Sequence, residues 1–199
     1  MFGKIVKRKS DYSQSFVKSI TCPRDLSHIP CVQFGRENEG KVAEMYKEEM
    51  EKEGRKVELF EVGLCVNPAL PHLGASMDRG VLDTSCQECY GGLEVKTSPK
   101  AGSLGLSIYE AVDHSQVKGH FFLQRGTDDK ITLSHDHEYY YQVQGQLALT
   151  GLPWVDFVAF SGVGGIHKER IVLNKSLWEN VILPKLDAFY KTFMCEPGQ

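Results

Sequence analysis

Gly91-Gly92-Leu93-Glu94-Val95-Lys96 is the stretch on which the reading turns, and Asp78 stands sixteen residues before its glutamate. Side chains on a strand alternate between faces, so Leu93 and Val95 are expected to enter the core while Glu94 and Lys96 share the opposite side. An acid and a lysine two residues apart, with a second acid brought in from a neighbouring strand, form a cation site beside a positive charge. Metal-dependent phosphodiester cleavage uses that combination: carboxylates hold a hard divalent ion, and the lysine offsets charge on phosphoryl oxygens. By itself the spacing is a weak signal, found by chance in many chains and usually as a solvated strand face, so the surroundings must decide.

Around this stretch the punctuation predicts alternating elements. A helix is expected over residues 39–53, with Val42, Met45 and Tyr46 as its apolar stripe, Asn38 as its cap and Gly54 as its stop. Residues 56–66 read as a strand ended by Asn67-Pro68. Residues 73–82 and 91–97 read as a hairpin whose connection holds Cys86 and Cys89. A poorly delimited helix is expected within 106–124, and a better one from His137 to Gly151. Strands follow at 154–160 and 166–173 around Gly162-Val163-Gly164-Gly165, and a helix kinked at Pro184 spans 177–193. That order implies an α/β or α+β core, a mixed central sheet with flanking helices. The glycine turn lacks the lysine and the strand-to-helix setting of a phosphate cradle.

Composition sets the outer bounds. The chain has 199 residues, 41% hydrophobic and 25% charged, the profile of a single domain with a sizeable core. No apolar run reaches membrane-spanning length. The net charge of −3 excludes no partner, because a nuclease can keep acids at its metal site and bases around its groove. Residues 1–34 read as a mixed N-terminal segment, open to being the cut edge of a longer protein. It begins with Lys4, Lys7, Arg8 and Lys9 and lacks the apolar stretch of a secretory signal. Six cysteines without an export signal fit reduced thiols in an intracellular compartment, nucleus and cytoplasm being undistinguished. Cys86 and Cys89 form half of a zinc or iron–sulfur site, with Cys65 or His72 as remote partners, or a loop with free thiols.

Five segments line up in order. They are Gly35-Arg36-Glu37-Asn38-Glu39; Gly63-Leu64 through Pro71-His72-Leu73-Gly74-Ala75-Ser76-Met77-Asp78; Gly92-Leu93-Glu94-Val95-Lys96; Tyr139-Tyr140-Tyr141-Gln142 with Gln144, Gln146 and Thr150-Gly151; and Trp154-Val155-Asp156-Phe157. Together they resemble the YqaJ-like viral recombinase family, which includes lambda-type exonucleases, within the PD-(D/E)xK nuclease superfamily. The likeness covers residues 33–193, and the expected core, restriction-endonuclease-like, spans 35–193.

The resemblance implies roles position by position. Asp78 and Glu94 match metal-ligating acids, the Val95 carbonyl a further ligand, and Glu39 the helix glutamate that approaches the metal. Lys96 matches the catalytic lysine, and Gln142 the glutamine that positions the lysine or the attacking water. It also implies Mg²⁺ or Mn²⁺ as cofactor, linear duplex DNA as substrate, exonuclease action and a homo-oligomer, a ring trimer in the family pattern. Arg8 is a candidate for gripping a DNA end. Met77 stands where proline is usual and Arg79 where glycine is common, which touches turn geometry more than chemistry.

Other readings stay open at this level. Glu39 reads also as a first-turn acid facing a helix dipole, Asp78 as a turn former, and Gln142 and Gln144 as exposed helix residues. His135 and His137 read as a metal pair or as surface histidines before a helix. Trp154, Phe157, Trp178, Phe189 and Tyr190 read as core aromatics. The rival functions are a nuclease for RNA or single-stranded DNA, a non-catalytic nucleic-acid-binding module, and an interaction domain stapled by zinc at Cys86 and Cys89.

Overall fold

The computed structural model describes residues 2–9, 11–22 and 25–195. Cys22-Pro23-Arg24-Asp25, which reads as a turn because proline punctuates the chain there, lies partly outside the described residues. Three helices come first: α1 (Phe2–Val6), α2 (Gln14–Thr21) and the long α3 (Pro30–Lys52). The last of these starts well before residue 39 and crosses the expected domain boundary at 35. Pro30 opens it, because a proline at the first helical position loses no bond and has its φ already set. Asn38 is not a cap; it lies inside the helix and its amide donates to the Phe34 carbonyl at 2.8 Å. Gly54, at φ 77°, follows the end. Val42, Ala43, Tyr46 and Met50 form the buried stripe of α3.

The next elements are β1 (Val57–Phe60), β2 (Cys65–Val66), β3 (Gly74–Ala75), β4 (Arg79–Asp83) and β5 (Tyr90–Thr97). Each of the two strands expected over 56–66 and 73–82 is thus broken in two, with β2 and β3 pairing apart as a small ribbon. After α4 (Pro99–Ser103) and α5 (Ile108–Ala111) come β6 (Leu123–Arg125) and β7 (Ile131–Leu133). The helix expected within 106–124 is only α5, opened by a Ser107/Glu110 capping box, and a later 3-10 turn. Phe121-Phe122-Leu123 then pass into β6, as bulky aromatic residues prefer.

The remaining elements are α6 (Glu138–Thr150), β8 (Val155–Phe160), β9 (His167–Ile171), α7 (Lys175–Leu177) and α8 (Leu183–Phe193). A π turn at Trp178–Ile182 joins α7 to α8 just before Pro184. Proline has no N–H to give to the preceding turn, and the wider turn absorbs that loss.

The main sheet runs β1-β4-β5-β8-β9. All its neighbours are antiparallel except β5 and β8, which run parallel. It is the mixed sheet that the sequence implied. Helix α3 covers one face with Val42, Tyr46 and Met50 on Val81, Leu93, Val95 and Val158. Helix α6 covers the other with Val143 and Leu147 on Val155, Phe157 and Ala159. Every residue of β8 is buried. Among the described residues, no helix is long and apolar enough to cross a membrane.

Candidate active site

The site lies where β4 stops and β5 continues. Their ladder runs from Leu82↔Tyr90 to Arg79↔Leu93, whereas β5 stays paired with β8 on its other side as far as Thr97. Beyond Leu93 the chain of β4 turns away, so an edge of β5 is opened in the middle of the sheet. Asp78 fills the gap. Its N–H donates to the Leu93 carbonyl at 3.1 Å, and its carboxylate accepts the Val95 N–H at 2.7 Å. A strand residue sends its N–H and C=O to the same side, so the Val95 carbonyl also faces this opening.

On the α6 face of β5, Glu94 is 1% exposed. The reading of it as part of a solvated strand face is excluded. A buried carboxylate needs donors, and α6 supplies them. Gln142 donates to Glu94 Oε1 at 2.6 Å, Lys96 donates to the same oxygen, and Gln146 donates to Oε2 at 2.6 Å. The two amides sit one turn apart on α6 and therefore on one face. That helix is placed by its ends. His137 caps it by accepting from the Tyr139 N–H at 3.2 Å, and Gly151 stops it at φ 71°.

Burial alone would push the Lys96 ammonium down, but Glu94 and Asp78 outweigh it and raise its pKa, so the lysine is charged. Its Nζ also stands 5.0 Å from the centre of the Tyr139 ring. Asp78 is pushed up to about 6, first by burial and then by the charge of Glu94; Lys96, the Val95 N–H and Arg79 pull it partly back. Two acids pressed together in a partly desolvated place are electrostatically ready for a cation.

A cavity of about 420 Å³ opens here between α3 and α6, lined by Gly35, Arg36, Glu39, Asp78, Val95, Lys96 and Tyr139 among others. Glu39 lies well inside α3 and is no first-turn acid. Its carboxylate is paired with Arg79 at 2.9 Å. Arg79 also donates to the Asp78 carbonyl and lies 3.3 Å from Glu61. The arginine that departs from the usual glycine thus ties α3 to the aspartate turn. The structure therefore brings Asp78, Glu94, Val95, Lys96 and Gln142 together, with Glu39 on the same cleft but occupied by Arg79. Among the described residues no three His, Cys, Asp or Glu side chains gather as a metal cage.

Behind Glu94 lies a smaller cavity of about 210 Å³, lined by Phe2, Gly74, Ala75, Ser76, Gln142 and Gln146. Phe2 of α1 occupies the notch left by Gly145, where an added Cβ would lie 2.1 Å from the ring. Lys4 and Lys7 line a separate cavity of about 380 Å³ with His137 and Glu138, at the start of α6. Arg8 is engaged elsewhere, its guanidinium 4.4 Å from the Phe16 ring centre and its Nε donating to the Asp11 carbonyl at 3.1 Å.

The other metal candidates are used differently. His135 stacks on Tyr140, and His137 is the α6 cap. Cys86 and Cys89 direct their thiols at backbone carbonyls of their own loop, Cys65 lies beside the Leu149 carbonyl, and His72 pairs with Asp187. Gln144 is fully buried and structural, bonding the Val172 carbonyl at 3.1 Å and the Asn174 N–H at 2.6 Å. Three contributors were given no role from the sequence: Arg79, Tyr139 and Gln146. Only Gln146 left a signal, its helical spacing from Gln142.

An acid and a lysine on a central strand, with a second acid at the end of its neighbour, form the arrangement expected from the resemblance to PD-(D/E)xK nucleases. The chain belongs to the YqaJ-like viral recombinase domain family, whose model matches residues 2–153. Among solved structures it resembles the alkaline exonuclease LHK-Exo of Laribacter hongkongensis, at 22% identity and a TM-score of 0.63, over 96% of this chain and 86% of that one. LHK-Exo in complex with dAMP matches with the same identity and TM-score, over 96% and 85%. At that identity the likeness establishes the fold. No curated protein matches the chain in sequence.

Proposed function

We propose that this protein is a Mg²⁺- or Mn²⁺-dependent deoxyribonuclease that degrades linear duplex DNA from an end. The observation that carries this reading is the junction of Asp78, Glu94 and Lys96 at the opened edge of β5, floored by Gln142. The donor set is all oxygen, two carboxylates and the Val95 carbonyl, which suits a hard cation bound partly by protein and partly by water and phosphate. Asp78, Glu94 and the Val95 carbonyl would hold the ion, and Glu39 would complete its surroundings on exchanging its bond to Arg79. When bound, such an ion supplies charge to the phosphoryl oxygens and acidity to a water.

The side chains then divide the remaining work. Lys96 presents a fixed positive charge to the negative charge that develops on phosphorus oxygens, in a place from which water is largely kept out. Gln142 fixes the Glu94 carboxylate and with it the resting position of the lysine. Tyr139 walls the cleft and faces the ammonium. Exonuclease action on DNA follows from family membership and from what the two LHK-Exo structures are called. The homo-oligomer, a ring trimer, belongs to the same reading, and mass measurement in solution decides it.

The test is to incubate end-labelled linear duplex and covalently closed circles with Mg²⁺, with and without chelator. Loss of the linear DNA to short products, survival of the circles and full inhibition by chelator are expected. Nicking or linearisation of the circles overturns the exonuclease assignment and leaves the metal site standing. RNA digested in preference to DNA overturns the substrate.

A further inference from the structure

We propose that Gln146 is a positioning residue of the nuclease site, setting the distance between its two acids. This rests on the nuclease reading of Asp78 and Glu94. The Gln146 amide nitrogen donates to Glu94 Oε2 at 2.6 Å and to the Ser76 carbonyl at 2.8 Å. Glu94 is on β5, whereas Ser76 lies two residues before Asp78 on the segment that delivers the second acid. One NH₂ group therefore spans the two segments that carry the carboxylates. Gln142 and Lys96 hold only the other oxygen of Glu94, so removal of Gln146 frees the carboxylate to rotate about that single anchored end.

The orientation of the amide is dictated by its partners. An ionised carboxylate and a backbone carbonyl only accept, so the nitrogen must face them. Gln146 Oε1 consequently meets no partner among the described residues, although the residue is 1% exposed. An apolar side chain of similar volume would fill the same space without an orphaned acceptor. Packing therefore does not account for a glutamine here, whereas the double donation does. Gln144, two residues earlier on the same helix, supplies the contrast: both ends of its amide are bonded, to groups remote from the acids.

The test compares Gln146→Met and Gln144→Met with the wild type by Mn²⁺ titration followed by electron paramagnetic resonance, by steady-state kinetics and by melting without metal. Groups that orient ligands typically change metal affinity or activity by about 10–100-fold. Gln146→Met is expected to weaken Mn²⁺ binding and lower kcat within that range, with KM for DNA changed by less than about 3-fold. Gln144→Met is expected to melt earlier, with Mn²⁺ affinity and kcat near wild type. A folded Gln146→Met protein with wild-type Mn²⁺ affinity and kcat overturns the proposal. If that variant does not fold, Gln146→Asn, which withdraws the amide by one methylene, is read by the same criteria. A wild type that binds Mn²⁺ but cuts no DNA overturns the nuclease reading, while the positioning role is still decided by Mn²⁺ affinity. A wild type that does not bind Mn²⁺ overturns both.

Discussion

The Asp78 carboxylate accepts the Val95 N–H at 2.7 Å, in the place where the next rung of the β4–β5 ladder would otherwise lie. A catalytic candidate is thus also the element that closes the sheet edge. Asp78→Asn separates the two duties, because an amide oxygen still accepts that hydrogen while the charge is gone. The expected result is a melting temperature at or above wild type without metal, and Mg²⁺-dependent cleavage lower by about 10²-fold or more. Cleavage assays paired with calorimetry check it.

Glu94→Gln and Lys96→Met should each lower cleavage by about 10²-fold or more, the scale for one preorganised electrostatic group. Glu94→Ala carries a further penalty, since Gln142, Lys96 and Gln146 lose their shared acceptor; a drop in melting temperature beyond that of Glu94→Gln is expected. A folded Glu94→Gln enzyme with near-normal rates would sink the site assignment.

Divalent ions are expected to stabilise the fold. Asp78 and Glu94 raise each other's energy when both are ionised, and a cation that binds only the native state adds stability in proportion to its saturation. Millimolar Mn²⁺ at neutral pH should raise the melting temperature of the wild type and leave that of the double variant Asp78→Asn/Glu94→Gln unchanged. Scanning calorimetry against metal concentration makes the comparison.

A separate pH response is expected from Asp83, fully buried at the end of β4. Burial alone would raise its pKa, but bonds from the Ser85 side chain and N–H and from Arg55 outweigh this and hold it below the usual range. A carboxyl lowered in the folded state adds stability that is complete above its unfolded pKa and lost as pH falls through its folded value. Asp83→Asn should therefore cost about 1.5–3 kcal/mol at neutral pH, the scale of bonds to a charged group. The gap to wild type should narrow below about pH 4, the ordinary aspartate range. Urea unfolding at several pH values measures it.

Lys4 and Lys7 line the cavity beside the start of α6, whereas Arg8 is spent on Phe16 and Asp11. Neutralising both lysines should raise KM for DNA more than it lowers kcat, and reduce the salt dependence of binding by about one unit of slope per lysine. Arg8→Ala should change that slope less. Binding isotherms at several salt concentrations distinguish the two.

The strand-borne part of the site was legible because alternation and glycine leave strong marks: β5, the hairpin to β4, and β8 with β9 lie close to their expected places. Helix α6 was legible through His137 and Gly151. The start of α3 was hidden because Gly35 and Gly40 lower helix propensity, while burial of the stripe from Val42 to Met50 sustains the helix regardless. The 106–124 region misled because its apolar residues serve a short helix, a turn and a strand in succession. Arg79 acts through Glu39, a partner distant in sequence that no local pattern encodes. Gln146 is marked only by its one-turn spacing from Gln142, with its partner Glu94 hidden.

Phe2, seated in the notch of Gly145, shares a cavity wall with Gln142 and Gln146. Side chains translated at opposite ends of the family-matched region are thus neighbours. The ribosome delivers the phenylalanine first and the glutamines only after some 140 further residues. At about 5–20 residues per second the delay is roughly 7–30 s. During that interval β5 can be made and its acids can exist, but the helix that orders them has not emerged. A nascent chain therefore gains the amide donors that hold Glu94 only once synthesis has passed α6.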